Sequence, residues 1–500
     1  VASVKEATTV TTEATSGVTT EATTTTRVRN RRSLSEGTSR SVDETRLDRV
    51  TVTKDNFDSF FKEGGTANYD ETSGTIKLTD DVSGQVGSAY LRFKIDPKED
   101  FTFTGKVDIG DKYEGHKVNG RDGGDGVGFV FHTGNVDTIG QSGASIGMGT
   151  IKNAFGFKLD SWHNTTTPNA SHNAPADPKY GGNAWRSNAF GAFYSSNAAG
   201  RVTTVGDAKA LNPNPNGQWV DFKIEYKGQS KEFIVTYGYE KWSTNLKTAN
   251  ASIMAPNAKT ALNNSNATYA LSFLGSTGSG TNLQRVQIEK FEFTAPQIVQ
   301  VAFYDEAGNE LAASSAIPGD RNQVVNLSNI EAVQKAISKI KAKGYTLKEV
   351  NSDKAETYNS GANTVTLRSG GQLLKYVFAV PTPEVTKTLP SDGGMLRNGG
   401  IKSTDRTLSG TGTPGATINI KVAGNVTVES NGKWTATLPT GLNSNVTTQD
   451  QLVPKNSLVV TQKIGVSESE AATVDVALGE SSVVPSTESK DQQSIVAETT

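Results

Sequence analysis

The chain of 500 residues contains no cysteine, which excludes a disulfide framework, a thiolate nucleophile and a zinc ribbon. No apolar run reaches the ~18 residues needed to cross a bilayer, so no membrane insertion is expected. No basic-then-apolar leader opens the chain, and any export signal or wall anchor is expected outside these residues. An excess of one charge is missing too. Fifty Lys and Arg face 52 Asp and Glu, a net charge of −2, which gives no general pull toward nucleic acid or an anionic membrane. The four histidines, His116, His132, His163 and His172, have no metal-ligand spacing. Helical periodicity is almost absent, and the length exceeds what one core organises, so two to four mainly β domains are expected.

What is present is Thr, Ser, Asn and Gly, a composition that with the lack of cysteine fits surface proteins of Gram-positive bacteria. Residues 1–26 hold eleven Thr and no aromatic, too little apolar surface to offset ordering entropy, so residues 1–45 read as a disordered tail. Its RVRNRRS cluster at 27–33 reads as a solvated run. Between 46 and 296 strand follows strand. GSAYLRFKID, DFTFTGKVDIG, DGVGFVFHTG, AFGFKLDSW and QWVDFKIEYKGQSKEFIVTYGY alternate or run apolar between Gly, Asn and Pro signals. Some 250 such residues imply two large antiparallel sheets packed as a jelly roll.

The pattern changes near residue 298. SNIEAVQKAISKIKAKG supplies the one convincing helix, with Ser328 and Glu331 as a capping box, Ile330, Val333, Ile337 and Ile340 on one face, and Gly344 closing it. Strands on both sides make 297–380 a β-grasp module. After VPTPEV, the turns at Pro414-Gly415 and Asn431-Gly432, with Trp434 as a core anchor, make 381–478 an Ig-like or cadherin-like sandwich. Residues 479–500 read as the disordered start of a stalk.

Two segments carry chemistry. In AFGFKLDSWHN, Asp160, Trp162 and Asn164 are two apart behind a strand, so a carboxylate, an aromatic residue and an amide converge on one side, a set that suits a hard cation. In GRDGGDGVGFVFHTG, Asp125 follows two glycines and precedes a strand. It sits either in an ordinary turn or on a ledge facing a cleft. No helix follows, so GGDGVG is not a phosphate loop.

GGDGVGFVF, FGFKLDSWHN, ADP at 176–178 and LSFLGSTGSG at 271–280 together resemble the ordered signature of L-type lectins, the legume-lectin fold. The module order after them is similar to the ligand-binding region of staphylococcal serine-rich repeat adhesins. The resemblance implies a calcium ion held by Asp160, the Trp162 carbonyl, Asn164 and Asp177, with waters completing the shell. The family's transition-metal positions here read Lys158 and Gly182. A lysine ammonium opposes a second dication by about 4 kcal/mol at 4 Å and an effective dielectric of 20, so calcium alone is expected.

For the sugar, the resemblance implies a cis peptide between Gly124 and Asp125. Asp125 would accept from sugar hydroxyls, Asn164 would donate, and backbone amides of the loop from Gly275 through Ser276 and Thr277 to Asn282 would complete the grip. Trp162, Tyr180 or Trp185 would stack on a ring face. The function so implied is a calcium-dependent, non-enzymatic adhesin for host cell-surface glycans or glycoproteins, sialylated ones among them. The alternatives are a protein-binding or self-associating adhesin active in biofilm, reading no sugar, and a glycoside hydrolase. The last is disfavoured because no E-x-D-x-x-E string supplies the paired carboxylates.

Overall fold

The computed structural model describes residues 4–6, 9–10, 42–164, 177, 179–181, 183–246, 268–386, 401–438 and 446–479. Most of the two terminal segments, residues 165–176, and Pro178 and Gly182 lie outside the described residues. Strands β1 (Val4–Glu6) and β2 (Thr9–Val10) pair with each other.

The next fifteen strands are β3 (Arg49–Val52), β4 (Phe61–Gly65), β5 (Asn68–Asp70), β6 (Thr75–Thr79), β7 (Val86–Leu91), β8 (Phe101–Asp108), β9 (Gly126–His132), β10 (Phe155–Asp160), β11 (Phe190–Ser196), β12 (Val202–Ala210), β13 (Val220–Lys227), β14 (Glu232–Tyr237), β15 (Glu240–Asn245), β16 (Ala270–Ser276) and β17 (Gln284–Thr294). They form a seven-stranded front sheet, β12-β11-β10-β9-β16-β7-β4, and a back sheet, β15-β14-β13-β8-β17-β6-β5, with β3 on β17.

The sequence patterns explain the two layers. Back-sheet β13 alternates, with Val220, Phe222, Ile224 and Tyr226 inward and the residues between them facing outward, as one-sided burial requires. Front-sheet β9, β10, β11 and β16 are buried at every position. Their outer face is covered because Ile146, Met148 and Ile151, from the segment between β9 and β10, pack on Val130, Tyr194 and Leu274 in a second small core. The main core between the sheets is dense in aromatics, among them Phe101, Phe103, Phe129, Phe131, Phe155, Phe157 and Phe233.

The middle segment has β18 (Ile298–Asp305), β19 (Glu310–Pro318), β20 (Val324–Asn326), β21 (Thr346–Lys354), β22 (Thr364–Thr366) and β23 (Gln372–Ala379). Its main sheet is β19-β18-β23-β21 with β18 and β23 parallel. The helix Glu331–Ala342 lies against it, burying Val333 and Ile340, and Gly344 beyond its end has φ +107. One expectation for this segment is corrected. The capping box does not form, since Ile330 occupies the cap without a side-chain bond and Glu331 pairs with Lys335 at 2.9 Å. The Asn326 side chain instead accepts from the Ser328 amide, where a 3-10 turn precedes the helix.

The last segment forms two small sheets, one of three strands and one of six, over a core containing Trp434, which donates to the Thr411 carbonyl. Between middle and last segments, the Ser467 hydroxyl donates to Asp305 Oδ2 and the Tyr345 hydroxyl to the Ile464 carbonyl.

Asp405 is buried with Oδ1 unpartnered, although Oδ2 accepts the Lys402 amide. Burial pushes its carboxyl from 3.8 to about 7. The folded form then keeps a proton that the unfolded chain has released, so stability falls as pH rises between those values, by up to about 4 kcal/mol. Asp405→Asn is expected to flatten that slope. Denaturant unfolding of wild type and variant from pH 4 to 8 checks it, and parallel slopes would refute it.

Candidate metal and carbohydrate site

Three strand ends meet at one crest of the sandwich. In the register, Asp160 at the end of β10 faces Gly126 at the start of β9, and Gly126 faces Ser276 at the end of β16. Asp125 therefore lies beside Asp160 because adjacent antiparallel strands place one strand's start beside the next one's end. The peptide between Gly124 and Asp125 is cis.

Beneath the crest Lys158 is 2% exposed. Its ammonium donates to Asp160 Oδ2 at 2.7 Å and to Asp177 Oδ1 at 2.9 Å. Burial opposes the charge, but the two carboxylates outweigh it and hold the ammonium above the ordinary lysine range. Burial also pushes the Asp160 carboxyl upward; Lys158 opposes this and the Asp177 charge adds to it. Asp177 Oδ1 further accepts the Thr204 hydroxyl at 2.8 Å, and Oδ2 accepts the Asn164 amide at 2.9 Å. The Asp177 amide returns a bond to the Asn164 carbonyl at 2.8 Å, so the two residues are clasped although 13 apart in sequence. Asp160 Oδ1 accepts the Trp162 amide at 2.9 Å.

The structure thus brings Asp160, Trp162, Asn164 and Asp177 together. Among the described residues no three His, Cys, Asp or Glu side chains converge as a metal cluster, and the expected set needs only two carboxylates. Its chemistry fits calcium. Lys158 takes one oxygen of each carboxylate, and the others, Asp160 Oδ1 and Asp177 Oδ2, each accept one amide and keep acceptor capacity. The Trp162 carbonyl and Asn164 side-chain oxygen accept nothing from described residues. All are hard oxygens, and two carboxylates against one ammonium leave one negative charge for a dication.

Asp125 lies next to this set, its carbonyl accepting the Ser161 amide at 3.0 Å. Its Oδ2 is enclosed and without a partner, and burial pushes the carboxyl up to about 7 against the pull of Lys158. Such an orphaned acceptor calls for a donor from outside the protein. Its Oδ2 would be 3.3 Å from a Cβ placed on Gly278, which would also lie 3.8 Å from the Gly143 Cα. Gly278→Ala is therefore expected to fill the space over Asp125 and weaken saccharide binding at least about tenfold with the fold intact. Calorimetry and circular dichroism on the variant check this, and unchanged affinity would refute it.

Other expected contacts are redistributed. The Ser276 hydroxyl donates to the Gly143 carbonyl, the Ser276 carbonyl accepts the Asp125 amide, and Thr277 is bound through its amide and hydroxyl to Gln85 and Val82. Gly275 lies inside β16, against Leu78. Gly275, Ser276 and Thr277 thus shape the loop, and its rim toward Asp125 is Gly278. Trp185 is only 4% exposed, with the His163 ring 4.5 Å away and the Arg186 guanidinium 4.5 Å from its ring centre. Its faces are taken by packing, which corrects the expectation that it stacks on sugar. Tyr180 is half-buried beside Phe190, its hydroxyl enclosed and unpartnered. Thr204 and Gly143 carried no signal in the sequence, since only the fold brings β12 and the 143 turn to the crest.

The sequence model of the family described as Legume lectin beta-barrel domain matches residues 52–290. Residues 52–290 are an L-type lectin domain. The chain is also similar to the serine-rich adhesin for platelets of Staphylococcus aureus, 38% identical over 348 residues, covering 67% of this chain and 14% of that protein. The chain thus spans about a seventh of that relative's length. Among solved structures, a Bauhinia forficata lectin in complex with GalNAc aligns over 49% of this chain and 97% of its own, at 14% identity and TM-score 0.33. The VIP36 exoplasmic/lumenal domain in its Ca2+/Man-bound form aligns over 47% and 82%, at 11% identity and TM-score 0.32. In the lectin domain the crest built by β9, β10 and β16 is the place where the expected ligand residues gather.

Proposed function

We propose that the chain is the calcium-dependent, glycan-binding part of a wall-anchored Gram-positive surface adhesin, and that its lectin domain attaches to host glycoproteins, sialylated ones among them. The observation that carries this is the enclosed, unpartnered Oδ2 of Asp125, a residue held by its carbonyl to the Ser161 amide beside the Asp160, Trp162, Asn164 and Asp177 oxygen set. Calcium there would supply positive charge that keeps Asp125 ionised as an acceptor. The chain's own residues do the rest: Asp125 accepts from sugar hydroxyls, Asn164 presents its amide, and the Gly278 turn leaves room for the ring.

Binding is favoured over hydrolysis because Asp160 is engaged with Lys158 at 2.7 Å, which leaves Asp125 without a second carboxylate for acid–base work. The segments 297–380 and 381–478 would act as modules projecting the lectin domain, and many copies on one cell would multiply a modest affinity. A glycan array probed with residues 46–296, with calcium and with chelator, tests the reading. The expected result is a specific set of hits lost on chelation; no specific hit, or hits indifferent to chelator, would overturn it.

A further inference from the structure

A second feature lies at the β4–β7 edge of the front sheet, away from the crest. Lys62, Tyr90, Arg92, Lys94, Asn135, Val136 and Asp137 line a surface concavity of about 560 Å³. Lys62 and Tyr90 face each other in the β4–β7 register. The core takes Phe61, Ala89 and Leu91, so alternation turns Lys62 and Tyr90 to the outer face. Lys94 donates to the Thr133 carbonyl at 2.7 Å and Arg92 Nε to the Asp58 carbonyl at 2.9 Å, which fixes both cations through neutral acceptors.

Part of the positive charge of the lectin domain is paired off and part is not. Lys77, Lys98, Lys106, Lys112, Lys158 and Arg285 each lie within 4.0 Å of a carboxylate. Among the described residues no carboxylate lies that close to Lys62, Arg92 or Lys94. Asp137 is on the rim, and Glu63 stands behind with its Oε2 enclosed. Three cations with spare donors, the Tyr90 hydroxyl and the Asn135 amide thus line one open recess, a donor array suited to an oxyanion. The crest is near. Gly87 on β7 faces Gly275, and five residues of strand separate Gly87 from Arg92, about 17 Å.

We propose that this recess is a second subsite of the lectin domain, taking the carboxylate or sulfate ester of an acidic glycan whose neutral part engages the crest. The assignment to a glycan rests on the crest reading above; the anion site itself does not.

Two measurements keep these apart. The first is titration of sodium sulfate at low ionic strength into the isotope-labelled full chain, read at the backbone amide resonances of Tyr90 and Asn135. Saturable shifts in wild type and in Asp125→Ala, absent from Lys62→Ala/Arg92→Ala, are the expected result. No shift in wild type, or the same shift in the double variant, overturns the site. The second is an array of acidic glycans paired with their desialylated or desulfated counterparts, probed in calcium.

On that array wild type is expected to favour acidic members about tenfold, a difference the double variant loses while keeping its binding to neutral members. Whether the preference follows carboxylate or sulfate identifies the source. Equal binding of both members by wild type overturns the glycan assignment. Sulfate shifts without any array binding would overturn it through failure of the crest reading, not of the anion site.

Discussion

Replacing Lys158 by methionine is expected to destabilise the metal-free lectin domain by about 3–5 kcal/mol, read as a fall of roughly 6–20 °C in melting temperature. The methylene stem is conserved, so the loss is that of the ammonium. Without it, two carboxylates that are 2% and 3% exposed at the side chain lose their shared countercharge, and ionising both in so enclosed a place is unfavourable. Calcium bound to the same residues would restore a cation, so the deficit should shrink when the ion is added. Scanning calorimetry of wild type and variant, each with calcium and with chelator, measures both effects. A variant as stable as wild type in chelator would show that the ammonium does not hold the dyad.

Asp125→Ala is expected to abolish saccharide binding, at least about a hundredfold, with little change in stability. The carboxylate is disfavoured where it stands, since burial pushes it up to about 7, so its removal relieves a cost to the fold while deleting the enclosed acceptor. Calorimetric titration with the best array ligand and a thermal melt check the two halves. Retained affinity would relocate the sugar site; a large loss of stability would make Asp125 a structural residue.

Much of the site was legible in the residues. Asp160, Trp162 and Asn164 are two apart behind a strand, which singled them out together, although the chain bends after Asp160 and it is the Asp160 carboxylate accepting the Trp162 amide, not strand alternation, that gathers them. The motif order around Asp125 and the Gly-rich loop marked the other wall. Lys158 was recognisable as a charge against a second dication, but its bonds to both Asp160 and Asp177 were not. That pairing needs the Asn164–Asp177 clasp, between residues 13 apart with no periodicity to link them. Trp185 shows the converse. An aromatic near a motif suggests a stacking platform, and only the packing of His163 and Arg186 on its faces reveals a structural role. The failed capping box at Ser328 has a similar origin, since a competing turn through Asn326 satisfies the local amide first.

By itself the sequence determined the β architecture, because alternation and turn chemistry are local. It also determined that β10 leads into a group of residues bearing oxygen donors. Which residues face one another across the crest was decided only by the register of β9, β10 and β16. Contacts between segments distant in the chain depend on strand order, which no local pattern encodes. The same reason places Lys62 opposite Tyr90 beside Arg92, a grouping that exists only once β4 has added to the edge of the front sheet.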